Sequence, residues 1–241
     1  MVYFYFLKTD DSLPHGNRKL KLHQKAEIIS EALENLFGVP NWDGTEDVLE
    51  CLILTILSQN TTDVSRDKGY AQLREKFPTW EDVLQADADA VETAIKIVGL
   101  GKQKAETIKN FLSWLKKEYG ELSLEFIRDM KTEDALDFLI QHKGIGIKTA
   151  SVTLSFACGR EVFPVDTHII RISKRLGLVQ PNCSAEKAHY ELPLIIPEGK
   201  SYPFHMNLIY FGRQICNARK PLCEQCPLTQ YCLYYKENLQ V

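Results

Sequence analysis

Apolar positions along the chain recur at intervals of three and four, and no segment sustains period-two alternation. Ala26, Ile29, Leu33 and Leu36 mark one helical face, which ends at Gly38-Val39-Pro40. From Glu46 to Gln59 the run is almost wholly apolar (Val48, Leu49, Cys51, Leu52, Ile53, Leu54, Ile56, Leu57), as in a buried helix. Asn60-Thr61-Thr62-Asp63 breaks that run and starts a helix ending before Pro78. Thr79 is a candidate N-cap for a short helix, and Asp87 or Asp89 for the next. Gly99-Leu100-Gly101 separates that one from a long amphipathic helix ending near Gly120. A further helix runs from Thr132 to His142; after the tight turn Gly144-Ile145-Gly146 another extends from Lys148 to about Ala157. Others start near Asp166, Ser184 and Ser201. The fold predicted is all-α, with short helices and short turns. Residues 8–20, polar and containing Pro and Gly, are expected to form a mobile leader.

With 44% hydrophobic and 25% charged residues, the 241-residue chain can bury one large core or two modest ones. Its net charge of −3 argues against binding nucleic acid through the whole-chain balance, so any such contact requires a local basic face. The N-terminal run Val2–Leu7 is too short for a signal sequence and lacks a basic segment before it. No stretch approaches the roughly 20 apolar residues of a membrane span. The expectation is a soluble, cytoplasmic protein, nucleoid-associated in a prokaryote. In such a compartment seven cysteines serve as metal ligands or free thiols rather than disulfides.

Gly144-Ile145-Gly146 stands between two helical patterns. Glycine permits positive φ and close approach of a ligand to the backbone, and the next helix offers free N–H groups and its positive dipole end. That is an anion site, for which a DNA phosphate is one candidate; a plain helix C-cap and turn is the other reading. Ile145 would anchor the turn in the core. Lys148 lies in the first turn of the following helix, where its charge is the wrong sign for the dipole. Partial burial there would leave a neutral amine available as a nucleophile, whereas a solvated surface lysine is the alternative. Asp166, before another helix, is by itself most simply an N-cap. Gly99-Leu100-Gly101-Lys102-Gln103-Lys104-Ala105 echoes Gly144-Ile145-Gly146-Ile147-Lys148-Thr149-Ala150, either as a repeat or as a common turn shape used twice.

Cys216, Cys223, Cys226 and Cys232 form a C-x6-C-x2-C-x5-C run. Four thiolates within 17 residues can wrap one small inorganic centre. Zinc is the alternative to an iron–sulfur cluster, although structural zinc sites more often show two separated CxxC pairs. Cys51, Cys158 and Cys183 carry no ligand spacing and are ordinary thiols.

From about Val48 to Cys232 the chain resembles the endonuclease III family of helix–hairpin–helix DNA glycosylases. Leu57-Ser58-Gln59-Asn60-Thr61-Thr62-Asp63 is similar to that family's first DNA-contacting loop, Gly144–Ala150 to its hairpin with the catalytic lysine, and Val165-Asp166-Thr167-His168 to its segment with the catalytic aspartate. The resemblance implies a six-helix domain over 41–160 and a cluster domain combining 1–40 with 161–241. It implies that the cysteines hold a [4Fe–4S] cluster, more structural than redox-active, and that the protein acts as a monomer on double-stranded DNA bound in the cleft between domains. Gln59 and Asn60 would fill the gap left by an extruded base; Gly144, Ile145, Gly146 and Thr149 would meet DNA at the hairpin; Arg219 and Lys220 would face phosphate. Lys148 would attack the sugar and Asp166 would assist, which makes the protein a bifunctional glycosylase and AP lyase acting on damaged pyrimidines. His142-Lys143 departs from the Leu-Pro common before the hairpin, and Gln59-Asn60 is nearer to divergent branches, including relatives of plant 5-methylcytosine glycosylases. A mismatch or 5-methylcytosine-directed glycosylase is therefore the second reading, and a non-catalytic module binding DNA structure the third.

Overall fold

A computed structural model describes residues 15–44 and 47–238, with side chains described from Lys21 onward. The run Val2–Leu7 and the first part of the expected leader lie outside the described residues. Among the described residues all regular structure is helical. The helices are α1 (His15–Phe37), α2 (Val48–Ser58), α3 (Asp63–Lys76), α4 (Trp80–Gln85), α5 (Ala88–Ala94), α6 (Gly101–Tyr119), α7 (Thr132–Ile140), α8 (Ile147–Phe156), α9 (Thr167–Leu176), α10 (Ala185–Glu191), α11 (Ser201–Gln214) and α12 (Leu233–Asn238), with short 3-10 turns between some of them. None is long and apolar enough to cross a membrane.

Residues 15–20, expected to be part of a mobile leader, are instead the start of α1. Beyond Gly16 no Gly or Pro remains, and Arg18, Lys19, Leu20 and Lys21 all favour helix. The other boundaries follow local chemistry. Asp47 caps α2 by accepting from the Glu50 amide, Thr62 caps α3, and Thr79 with Asp82 forms a reciprocal capping box on α4. Gly101, expected in a separating turn, is the first residue of α6; α7 ends at Ile140 rather than His142.

The apolar positions assemble into two cores. One gathers Leu52, Ile56 and Leu57 of α2 with Ile108 and Leu112 of α6, Leu139 of α7 and Leu154 of α8. The other joins Ala26, Ile29 and Leu33 of α1 to Ile169 and Ile172 of α9, Phe204 and Leu208 of α11, and Leu228 and Cys232. The N-terminal helix is thus completed by the last third of the chain. Lys200 pairs with Glu34 at 2.8 Å, and the Asn207 amide donates to the Gly38 carbonyl at 2.9 Å, tying α1 to α11. Between Val162, in the first core, and Phe163, in the second, the chain crosses over. The cores touch where Phe156 of α8 meets the rings of Tyr202 and His205 on α11.

Leu52 is fully enclosed, so Leu52→Ala should lower the unfolding free energy by about 2–5 kcal/mol, read from the denaturant midpoint.

Candidate active site and metal centre

The turn between α7 and α8 is built on two glycines with different reasons. Gly144 has φ +91°, and a Cβ there would lie 2.3 Å from the Thr107 hydroxyl oxygen. Both facts demand glycine. Gly146, at φ −91°, caps α8, and a Cβ on it would meet nothing within 4 Å. No protein neighbour requires glycine there. The first-turn amides of α8 have no intrahelical acceptor, as at any helix start. Ile145 is 2% exposed and its amide donates to the His142 carbonyl at 3.0 Å, anchoring the turn as expected.

Lys148 stands in the first turn of α8 and is exposed, not partly buried as the sequence implied. Its side chain leaves the helix on the open side while Thr149 and Ala150 turn inward. Asp166 is the N-cap of α9; its Oδ1 accepts from the Ile169 amide at 2.7 Å. The segment before it is held by two histidines. His205 Nδ1 donates to the Pro164 carbonyl at 3.0 Å. His189 Nε2 accepts from the Val165 amide at 2.9 Å while its Nδ1 donates to the Ala185 carbonyl at 2.7 Å. Both roles of His189 together require the neutral ring. Burial pushes both histidines down, His205 to about 4; the negative Asp166 opposes that shift and the positive Lys148 adds to it. Lys148, Asp166, His189 and His205 therefore share one electrostatic neighbourhood. Nothing in the sequence pattern singles out the two histidines, since neither belongs to a motif or a ligand spacing.

The remaining expected site residues divide. Gln59 Nε2 donates to the Gly144 carbonyl and to the Thr149 hydroxyl, both at 3.1 Å. That side chain binds the end of α2 to the hairpin. Thr149 is 4% exposed, and its hydroxyl makes this internal contact. Asn60 is exposed at φ 51°. Leu100, which sequence reasoning did not select, is 53% exposed, also at φ 51°. These two are the non-glycine residues with positive φ among the described ones, and the hollow between their loops is lined by Asn60, Thr61, Thr62, Ile97, Val98 and Gly99. Arg219 and Lys220 are exposed.

Cys216, Cys223, Cys226 and Cys232 line a single hollow of about 360 Å³, with Leu176, Phe211, Ile215, Tyr234 and Tyr235 around them. No three His, Cys, Asp or Glu side chains among the described residues converge as a one-ion site would require. The sulfurs ring the hollow instead. Burial, and then the Cys232 and Cys216 thiolates, push Cys223 up; burial pushes Cys232 up, with Cys216 adding and backbone amides opposing; burial pushes Cys226 to about 11, with the other three thiolates adding to the shift. Such mutual opposition is relieved by a cationic inorganic centre. Arg175 Nη1 donates to Cys216 Sγ at 3.2 Å, and the Leu228 amide to Cys226 Sγ at 3.4 Å. Donors aimed at the sulfurs, an apolar wall and four thiolates fit an iron–sulfur cluster. Arg175 also holds the carbonyls of Asn217 and Ala218, immediately before Arg219 and Lys220.

Residues 53–198 match the HhH-GPD superfamily of base excision DNA repair proteins, and residues 216–232 match the iron–sulfur binding domain of endonuclease III. Endonuclease III of Thermotoga maritima is 33% identical over 192 residues, covering 80% of this chain and 85% of that one. The structure of a non-covalent endonuclease III–DNA complex superposes with a TM-score of 0.78 at 30% identity, over 91% of this chain and 99% of the other. A trapped endonuclease III–DNA covalent intermediate superposes with a TM-score of 0.77, also at 30% identity, over 89% and 97%.

Two outcomes follow from the geometry. Gly144→Ala should destabilise the fold by about 1–3 kcal/mol, whereas Gly146→Ala should leave the melting temperature nearly unchanged and weaken binding to duplex DNA. The second is read by comparing calorimetry with a binding titration. His205 is held neutral in the fold while the unfolded chain protonates it near its ordinary value, so the unfolded state binds more protons between pH 6.5 and about 4. Stability should fall as pH drops through that window, and His205→Asn should flatten the fall in melting temperature.

Proposed function

We propose that this chain, which belongs to the HhH-GPD superfamily of base excision DNA repair proteins and within it to the endonuclease III family, excises damaged pyrimidines from duplex DNA with Lys148 as nucleophile and then nicks the strand. Membership makes the protein a DNA glycosylase with a [4Fe–4S] cluster as cofactor, and AP lyase activity accords with the family. The observation that supports the residue-level reading is the placement of exposed Lys148 in the first turn of α8, two residues after the hairpin glycine Gly146, with half-buried Asp166 capping α9.

The target base must leave the stack before its glycosidic bond can be reached. The hairpin amides and Gly146 grip backbone phosphate, while Asn60 and Leu100, an amide and an apolar side chain held out by left-handed backbone, enter the duplex. The Lys148 nitrogen forms a bond to C1′ through its lone pair. The glycosidic C1′–N bond breaks, its electron pair goes to the base nitrogen, and that nitrogen takes up a proton. The amine loses its proton, the sugar ring opens and an imine to C1′ results. Loss of a proton from C2′ then expels the 3′-phosphate oxygen, leaving a nicked strand. Asp166 opposes the positive charge that develops on the sugar.

Cys216, Cys223, Cys226 and Cys232 are the ligands in this reading. The cluster holds the loop carrying Arg219 and Lys220, and glycosidic cleavage with β-elimination uses no electron from it. We read the chain as a helix–hairpin–helix domain over 41–160 and a cluster domain of 1–40 with 161–241; the two cores support that division, with Val162 packing on the first. The protein acts as a monomer in the cytoplasm, where chromosomal DNA is exposed to it.

Borohydride should trap a covalent adduct between the wild-type chain and a duplex containing thymine glycol. Lys148→Ala should abolish the adduct and slow cleavage at least about 10³-fold, the scale of losing a covalent nucleophile, and trapping that survives in the folded variant overturns the assignment. Asp166→Asn retains a good helix cap, so its melting temperature should hold while turnover drops by about 10²–10³. A panel of thymine glycol, G·T, uracil and 5-methylcytosine duplexes decides the lesion: preference for the mismatch or the methylated base replaces damaged pyrimidine as the substrate. Cys226→Ser should lose iron and sulfide on elemental analysis.

A further inference from the structure

Lys104 is 1% exposed, and the chemistry above makes no use of it. It lies in the first turn of α6, and its Nζ donates to the Leu57 carbonyl at 2.8 Å and to the Val98 carbonyl at 3.0 Å. Leu57 belongs to the last turn of α2, and Val98 ends the 3-10 turn Lys96–Val98. Carbonyls at helix ends lack intrahelical donors and carry negative potential, so an ammonium is well placed between them. Burying a charge is nevertheless unfavourable, and burial lowers the pKa of this group. A methionine would fill the same space without that cost. The ammonium therefore has a task that packing alone does not supply.

What it fastens is specific. Leu57 precedes Asn60 by three residues, and Val98 precedes Leu100 by two. Those are the two exposed non-glycine residues with positive φ among the described ones; Asn60 lines the hollow between the loops, and Leu100 directly follows its lining residue Gly99. Strained backbone persists where its surroundings over-determine it. The Gly-aliphatic-Gly echo adds a second observation. Lys104 and Thr149 occupy the same register in the two repeats, both are buried, and both are tied to the end of α2, Lys104 through Leu57 and Thr149 through Gln59. The aliphatic residue between the glycines, however, is buried in one turn (Ile145) and exposed in the other (Leu100).

We propose that Lys104 is a positioning residue for base extrusion: by joining the Leu57 and Val98 carbonyls it holds the Asn60 and Leu100 loops at one separation, so that both side chains enter the duplex together. This rests on the reading that the chain excises a base from duplex DNA. Lys104 touches no substrate and acts through the two loops.

The test compares wild type, Lys104→Met and Lys104→Arg on two DNAs, with circular dichroism and iron content as checks of folding. One is a thymine glycol duplex with 2-aminopurine opposite the lesion, whose fluorescence reports unstacking. The other is a single strand with a pre-formed abasic site, which needs Lys148 but no extrusion. Lys104→Met should lower duplex excision and the fluorescence rise on the order of tenfold or more, because extrusion carries the unstacking cost. Its nicking of the single strand should stay within about threefold of wild type, and Lys104→Arg, which keeps the charge, should lie between. Equal losses on both DNAs, or an unchanged duplex rate, overturn the proposal. If the Met variant does not fold, Lys104→Gln, whose amide can still donate to one carbonyl, carries the same comparison. A wild type that cleaves neither DNA sinks the glycosylase–lyase reading itself, while a wild type that cleaves both beside an unaffected Lys104 variant sinks only the role of Lys104.

Discussion

The crossing from one core to the other is the constraint on which the site depends. The chain passes through Val162-Phe163-Pro164-Val165, all buried, with no helix or sheet to pair its backbone groups. Buried amides and carbonyls must find partners. Here the partners come from two helices of the second core: His205 of α11 takes the Pro164 carbonyl, and His189 of α10 takes the Val165 amide. The next residue is Asp166. The Asp166 carboxylate is thus delivered by a segment whose position is settled one peptide earlier, in the buried interface between cores.

The same economy appears on the other side of the hairpin. The end of α2 is tied to the hairpin turn by its own Gln59 and to α6 by Lys104. Three chain segments distant in sequence therefore converge on one helix terminus, close in the chain to the exposed residues Asn60 and Leu100. Exposed groups, Lys148 among them, stand in front of this enclosed layer. Precision comes from the enclosed layer behind them.

The helix–turn order was legible because punctuation is local: Thr62, Thr79, Asp166 and Ser184 all cap the helices that the pattern placed at or after them. The exception is α1, whose first turn was assigned to a leader on the strength of Pro14 and Gly16. Of the site, the cysteine run and the hairpin glycines were legible, since each rests on residue type and spacing within a short stretch. The inward turn of Gln59 and Thr149, the exposure of Lys148, the histidine pair and the staple at Lys104 were not. Each depends on which neighbour from a distant helix arrives beside it.

The four cysteines and the turn Gly144-Ile145-Gly146 were determined by the sequence itself: a thiolate centre requires ligands within reach along the chain, and positive φ at Gly144 requires glycine whatever surrounds it. The two Gly-aliphatic-Gly turns show where that determination stops. Both are Gly-aliphatic-Gly turns entering a helix, yet Ile145 is buried and Leu100 stands in solvent. Only the tertiary structure decided between those fates, because burial is a property of the partners that pack against a turn, and a local motif does not specify its partners.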